Sequence, residues 1–187
     1  MPKLFGSRAL PGLLVVSILL GAAVGLVQVA VPTIAGQWDS DWLAGPLLAA
    51  FALGSVVGAL WFGSRNWRRP VLDRYLYSVL ALGLLLAPVG LATTSVVLAA
   101  LLVIAGLAFG PATVSMLESL DVLAPGGGAE AMTWVTTAEA AGWAAGGAGA
   151  GLLVVHVADW APFALASAIL VVPVGFLLAL RLAEVRE

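Results

Sequence analysis

Residues 130–156 have the sequence EAMTWVTTAEAAGWAAGGAGAGLLVVH, and this stretch decides the fold. It is apolar and long enough to cross a bilayer as a helix, since about 20 residues span a hydrocarbon core roughly 30 Å thick. Most of its side chains are too small to face lipid well. The pairs Gly142/Gly146 and Gly147/Gly151 instead allow the backbone of a neighbouring helix to approach closely. We therefore predict a transmembrane helix packed tightly against others.

This predicted helix carries a carboxyl group, Glu139. It lies about 12 Å beyond Ala131 at the helical rise of ~1.5 Å per residue, close to the middle of the membrane. An acidic group at that depth costs on the order of 2.5–3.5 kcal/mol and usually faces a bundle interior or a watery cavity. No Lys or Arg lies in any predicted span to pair with it. Glu139 is the leading candidate for a functional residue; the alternative is a structural carboxyl bonded to Thr136 or to a neighbouring helix.

The composition excludes several classes of function. The chain has 187 residues, of which 62% are hydrophobic and 10% charged, as in integral membrane proteins. Its formal net charge is −2 and it has no basic tract with interleaved aromatics, so nucleic acid is not an expected partner. It has no cysteine and one histidine, which leaves no basis for a metal site. The spans lack a nucleophile with its base or paired aspartates, so we expect neither an enzyme nor a cofactor.

Six apolar segments are each long enough to span a bilayer. Lipid offers no hydrogen bonds to the backbone, and these segments are too long and too continuously apolar for barrel strands. We therefore predict an all-α fold, a polytopic membrane bundle of six transmembrane helices. The predicted spans are Leu10–Ala35, Leu43–Gly63, Tyr75–Thr93, Ser95–Leu117, Ala131–His156 and Trp160–Leu180.

The charged residues between the spans predict the orientation. All eight basic residues fall on one side of the six-span arrangement, and the opposite connections carry acidic residues such as Asp39 and Asp159. By the positive-inside rule both termini are cytoplasmic. We expect a multi-pass protein of the bacterial plasma membrane. The basic residues are Lys3, Arg8, Arg65, Arg68, Arg69, Arg74, Arg181 and Arg186.

Two short patterns recur at a common offset. Gly21 and Gly25 of the first span return as Gly106 and Gly110 of the fourth, and Pro88-Val89-Gly90 returns as Pro173-Val174-Gly175, both 85 residues later. The second and fifth spans match more loosely. We predict one domain built from two three-helix repeats, about residues 1–93 and 94–187, which are inverted relative to each other because each crosses the membrane three times.

The glycine pairs also predict which helices are central. Spans one, two, four and five each contain a Gly-xxx-Gly pair, whereas spans three and six contain none. We expect four close-packed central helices and two peripheral ones. The packing glycines are Gly21, Gly25, Gly54, Gly58, Gly106, Gly110, Gly142 and Gly146.

Nearly the whole chain resembles the C-terminal six-helix half of an efflux-type major facilitator superfamily transporter. The resemblance is carried by the run Gly-Ala-Leu-Trp-Phe-Gly-Ser-Arg at 58–65 with its arginine-rich loop, by the Gly106–Pro111 segment, and by the Pro125-Gly126 loop leading to Glu130–Trp134. The loop at 64–69 departs from the family's Gly-xxx-Asp-Arg-x-Gly-Arg-Arg signature, since it lacks the aspartate and the second glycine. The resemblance implies that spans one, two, four and five line a cavity and that spans three and six face outward.

The same resemblance implies a function that one chain cannot complete. In that superfamily the substrate path lies between two six-helix halves. We therefore expect secondary transport of a small organic molecule, as proton-coupled efflux, by a homodimer or with a separate partner half. The scarcity of polar groups in the spans favours an apolar or amphipathic solute. The alternatives are a non-transporting membrane assembly or regulatory subunit, and an inactive truncated transporter half.

The candidate site residues follow from these expectations. Glu139 is the candidate for proton coupling, and Gln28, Thr136 and Trp143 are candidates for the substrate path, although each also has an ordinary packing or hydrogen-bonding role. Charges on the basic side are candidates for a cytoplasmic gate or for contact with anionic lipid headgroups. These are Arg65, Arg68, Arg69, Arg74, Glu118, Asp121 and Glu130.

Overall fold

The computed structural model describes residues 9–124 and 128–184, and it is a bundle of six α-helices with no strand among those residues. All six helices are long and apolar enough to cross a membrane, as predicted. Short 3-10 helices precede α2, at Asp41–Leu43, and follow α3, at Ala87–Leu91. The α-helices are α1 (Ala9–Gln37), α2 (Ala44–Gly63), α3 (Val71–Leu86), α4 (Ser95–Leu123), α5 (Gly128–His156) and α6 (Ala161–Glu184).

The predicted and observed bounds differ most in α3 and α4. α3 begins at Val71 rather than Tyr75, so Arg74 belongs to a helix and not to a loop. Its regular part ends at Leu86 because Pro88 has no N–H to donate and its ring crowds the preceding turn; the chain continues as the 3-10 helix. α4 extends to Leu123 instead of Leu117 and so carries Glu118 and Asp121 on its last turns. Hydropathy marks the apolar part of a helix, whereas the helix itself continues beyond the lipid.

The most extensive contacts join α1 to α5 and α2 to α4. Helices that cross a bilayer in sequence alternate in direction, so each of these pairs is parallel. The glycines of one helix face the backbone of the other: Gly21 lies against Glu139 and Gly142 lies against Ile18. A Cβ atom at either position would overlap a carbonyl oxygen of the partner. The contact between α1 and α5 is thus one of backbone on backbone, as small residues permit.

The same arrangement is repeated between α2 and α4. Gly54 and Gly58 lie against the backbone of Val103 and Leu107, while Gly106 lies against that of Phe51. All eight glycines assigned to helix packing are buried, and each lies where a Cβ atom would overlap the partner backbone. The prediction that Gly147 and Gly151 form a further packing pair is wrong, because a Cβ atom at Gly147 would meet only the Val29 side chain, at 3.5 Å, and one at Gly151 would meet nothing within 4 Å.

α3 and α6 connect the two glycine-packed pairs. α3 packs on α4 and α6, and α6 packs in turn on α1. The core between them is filled by large side chains, including the fully buried Tyr75 of α3 and Phe163 of α6. Gly83 of α3 lies against Leu170 and Val171 of α6, where a Cβ atom would come within 2.9 Å of either side chain.

The prediction that the third and sixth helices are peripheral is wrong for the single chain. Buried residues make up 39% of the apolar stretch in α3 and in α6, but only 17% in α2 and in α5. α1 is the most buried helix, at 56%. A glycine pair marks the line of closest approach to one neighbour and does not report how many neighbours a helix has. α2 and α5 each have one close partner and leave the rest of their surface uncovered.

Candidate functional site

Three of the predicted site residues share one side of α5. Thr136, Glu139 and Trp143 are spaced by three and four residues, which places them in one row along the helix. Thr136 is exposed, Glu139 is half-buried and Trp143 is 50% exposed. The row runs along one edge of the contact with α1, because the backbone carbonyl groups of Glu139 and Trp143 lie against Gly21 and Gly25 of that helix. We call these three residues the α5 row.

The α5 row reaches α1 through a hydrogen bond. The Trp143 indole Nε1 donates to the Gln28 side-chain Oε1 at 3.0 Å, and both side chains are exposed. Gly25, one turn before Gln28, lies against the Trp143 backbone and so allows the two helices to come close enough for this bond. Two residues predicted separately for the substrate path are therefore in contact. No sequence pattern pairs them, because they are 115 positions apart.

Glu139 has few polar neighbours. In the part of the chain that the structure describes, no hydrogen bond or ion pair is seen at its carboxyl group. Thr136, the partner considered from sequence, donates instead to the carbonyl oxygens of Met132 and Thr133 on its own helix, at 2.9 and 3.1 Å. The buried Tyr75 hydroxyl of α3 lies 3.4 Å from the Ser17 hydroxyl of α1, oxygen to oxygen.

A groove of about 430 Å³ opens beside Gln28, between α1, α2 and α4. Ser55 contributes the other polar side chain, and the rings of Phe51 and Phe109 stand 5.4 Å apart between their centroids. Sequence reasoning missed these three residues. The rings were detectable as aromatic residues deep within predicted spans, and the serine as a hydroxyl beside a packing glycine. With Gln28, Val24 and Val56 they form what we call the α1–α2 groove.

At the basic end of the bundle, the structure joins two of the predicted gate or lipid residues. Arg74 of α3 forms an ion pair with Glu118 of α4, with 2.9 Å between the guanidinium nitrogen and the carboxylate oxygen. Arg65 lies over the Trp61 ring at 4.9 Å and Arg69 over the Tyr77 ring at 5.2 Å. Within residues 9–124 and 128–184, no ion pair joins Arg65, Arg68 or Arg69 to Asp121 or Glu130.

The opposite end of the bundle is tied by a polar contact. The Gln37 side-chain amide, at the end of α1, donates to Asp159 in the turn between α5 and α6, with 2.8 Å between nitrogen and oxygen. Both residues are exposed or half-buried, so water competes for the bond. This contact fixes the α5–α6 turn against α1 and leaves the α5 row unobstructed.

Comparisons of the chain with protein-family models, with curated proteins and with solved structures found no match.

The hydrogen bond between Trp143 and Gln28 predicts a measurable coupling. Combining Trp143→Phe with Gln28→Leu in a double-mutant cycle should give an interaction energy of about 0.6 kcal/mol and not more than roughly 1.7, the range for interhelical hydrogen bonds in membranes. The measurement is the free energy of unfolding in mixed detergent micelles containing dodecyl sulfate. Trp42→Phe, at a tryptophan that is 73% exposed, should show no coupling to Gln28→Leu. Strictly additive effects would contradict the bond.

Proposed function

We propose that this chain is one half of a secondary transporter, similar to a half of a major facilitator transporter, that moves a small amphipathic organic molecule. The observation that carries the proposal is the α5 row: a mid-membrane carboxyl, a tryptophan and a threonine along one edge of the α1–α5 contact, with Gln28 of α1 hydrogen-bonded to the tryptophan. Polar and ionisable groups in spans usually mark solute or proton pathways. A second copy or a separate partner half, facing this row, would enclose the path.

The pairing of helices supports the inverted-repeat part of the proposal. If α1, α2 and α3 correspond to α4, α5 and α6, then the α1–α5 contact corresponds to the α4–α2 contact. Likewise the α3–α4 contact corresponds to the α6–α1 contact. In both cases the two corresponding helix pairs are each in extensive contact. Such exchange of equivalent contacts is the arrangement expected of two repeats related by a twofold axis in the membrane plane.

The roles we propose for the site follow from its chemistry. Glu139 takes up and releases a proton as the solute moves, since it carries the only carboxyl in the α5 row. Trp143 offers a flat apolar surface on which an aromatic or cationic part of the solute can stack. Gln28 can donate and accept hydrogen bonds and is already oriented by the indole. The α1–α2 groove, with its two phenylalanines, takes the apolar part of the solute.

The orientation we propose places the basic end in the cytoplasm of a bacterium. Arg65, Arg68, Arg69 and Arg74 lie there, together with the C-terminal end of α4 and the N-terminal end of α5. The acidic end, with Asp39, Asp41 and Asp159, then faces outward. This is the distribution that the positive-inside rule predicts.

A second candidate is a non-transporting subunit that docks on a larger membrane complex. It is favoured by α2, whose apolar side chains are uncovered over several turns: Leu53 is 65% exposed and Leu60 is 70% exposed. A docking subunit and an inactive half both differ from a transporter in one physical property. A transporter must admit water to the α5 row, whereas a docking helix can be dry throughout.

Water access can be measured directly because the chain has no cysteine. A single cysteine at Ala140, which lies between Thr136 and Trp143 at helical spacing, should react with a charged, membrane-impermeant thiosulfonate in proteoliposomes. The reactive species is the thiolate, which forms in water and not in hydrocarbon. We expect labelling at least tenfold faster than for Val172→Cys, a 69% exposed position midway along α6.

The two cysteine variants are matched because both positions are exposed in the single chain and both lie in the apolar part of a helix. Equal, slow labelling of the two positions would overturn the transport proposal and favour the docking subunit. Native mass spectrometry of the same sample gives the oligomeric state, which separates a homodimer from a chain that needs another partner.

A further inference from the structure

A second groove lies at the basic end of the bundle, on a different side from the α5 row. α2 and α3 both pack on α4 but have little contact with each other, and the gap between them is a groove of about 360 Å³. Its floor is α4, through Leu107, Ala108 and Pro111, and its α3 wall includes Ala81 and Leu85. These inner residues are all apolar. We call this space the α2–α3 groove.

The length of the α2–α3 groove matches one leaflet of a bilayer. It runs along α3 from Arg74 to Leu85, which is about 16 Å at the helical rise of ~1.5 Å per residue. Half of a hydrocarbon core roughly 30 Å thick is about 15 Å. The groove therefore begins at the level of the headgroups on the basic side and ends near the middle of the membrane.

The mouth of the groove is a fixed set of aromatic side chains. Trp67 stacks on Phe62 with 4.7 Å between ring centroids, and its indole Nε1 donates to the Phe62 carbonyl at 2.9 Å. Trp61 meets Trp67 edge to face, at 5.9 Å. Tryptophan and tyrosine side chains are enriched at this depth, at the interface between membrane and water. Together the side chains of Trp61, Phe62 and Trp67 form the rim of the groove at its headgroup end.

The same mouth carries concentrated positive charge. Arg65 lies over Trp61 and Arg69 over Tyr77, and both rings line the groove. Arg74 lies in the groove wall with only 12% of its side chain exposed, and Glu118 pairs with one end of its guanidinium group. The Arg74 Nε is buried and has no hydrogen-bond partner. A buried N–H without a partner is costly, and an acceptor oxygen at the mouth of the groove would remove that cost.

We propose that the α2–α3 groove binds one anionic phospholipid. One acyl chain lies along Ala81, Leu85 and Ala108, and the phosphate lies at the mouth among Arg65, Arg69 and Arg74. The charge of the mouth selects an anionic headgroup, and the apolar floor requires an acyl chain, so soluble phosphates are a poor fit. This lipid site is independent of the transport proposal, since it uses neither Glu139 nor the α5 row.

The test uses the full chain in nanodiscs that contain equal amounts of phosphatidylglycerol and phosphatidylcholine with identical acyl chains. Native mass spectrometry after release should show one phosphatidylglycerol retained per chain in preference to phosphatidylcholine. Arg69→Gln, at an exposed position where folding is not at risk, should lower that preference about fivefold, the effect of one arginine near the surface. Arg68→Gln removes the same charge without a ring contact at the groove and should lower it less.

A second pair of variants tests the acyl chain without changing charge. Ala81→Trp fills the groove and should abolish retention, whereas Leu84→Trp places the same side chain on a 56% exposed position of α3 outside the groove and should preserve it. Equal retention of the two lipids by the wild type would overturn the proposal. The proposal would also be overturned if Arg68→Gln and Arg69→Gln lowered the preference for phosphatidylglycerol equally. That result would indicate attraction by diffuse surface charge and not binding at a defined site.

Discussion

Replacing Gly146 with alanine is expected to destabilise the bundle by about 1–3 kcal/mol, the usual cost of overpacking a close contact. A Cβ atom at this position overlaps the carbonyl oxygen of Ala22 on α1. Backbone atoms cannot rotate away as the end of a side chain can, so α1 and α5 must separate along their whole contact. The destabilisation then includes the loss of contacts at the other glycines between α1 and α5. The measurement is the free energy of unfolding in mixed detergent micelles.

Gly151→Ala is the matched control on the same helix. Nothing lies within 4 Å of a Cβ atom built at Gly151. Because alanine favours a helix over glycine by roughly 1 kcal/mol, this variant should be neutral or slightly stabilising. The prediction is therefore a difference in sign between two identical substitutions five residues apart. If both variants gained stability, the backbone contact between α1 and α5 would be looser than the structure has it.

Replacing Glu139 with glutamine is expected to remove proton coupling while preserving solute exchange. Glutamine has nearly the same shape and can donate a hydrogen bond, but it cannot take up a proton. In proteoliposomes loaded with a pH-sensitive dye, a transported amphipathic solute should move protons with the wild-type chain. With Glu139→Gln the proton signal should fall to the level of protein-free vesicles. Exchange of labelled for unlabelled solute, which needs no net proton movement, should continue.

Glu130→Gln is the control for the loss of one acidic charge from α5. Glu130 lies in the first turn of the helix, at the basic end of the bundle, and within the described residues no ion pair joins it to the arginines proposed for a gate. The Glu130→Gln variant should therefore leave both the proton signal and the exchange unchanged. Glu139→Asp should retain part of the signal, because it keeps a carboxyl group that lies about one bond closer to α5. An unaltered proton signal in Glu139→Gln would rule out this residue as the coupling group.

The Gly146 and Glu139 substitutions test two different properties of α5. The glycine substitution tests how α5 is held against α1, whereas the glutamate substitution tests the polar side chain that α5 carries at the edge of that contact. The two are linked because Trp143 follows the packing glycine Gly142 in the chain and its own backbone lies against Gly25 of α1. A variant that moves α5 should therefore also weaken the bond between Trp143 and Gln28. A variant at Glu139 should leave that bond intact.

Several features of the fold were predictable from local sequence. Six apolar runs of sufficient length, with no water in the bilayer to satisfy exposed backbone groups, leave a helical bundle as the solution. The eight packing glycines were also identified in advance, because only glycine and alanine allow helix backbones to approach so closely. The predicted ends of the helices were less accurate. The charged ends of α3 and α4 continue as helix beyond the apolar stretch, and hydropathy does not register them.

Sequence alone determined that the chain forms six membrane-spanning helices and that Glu139 is an unusual residue within them, because both follow from the cost of placing polar groups in hydrocarbon. Only the tertiary structure decided which glycine faces which helix, since a Gly-xxx-Gly pair fits any small-residue surface equally well. It also brought Gln28 to Trp143 and Arg74 to Glu118. These contacts depend on how helices distant in sequence are aligned along their axes, and that alignment is set by the sum of many packing contacts across the bundle.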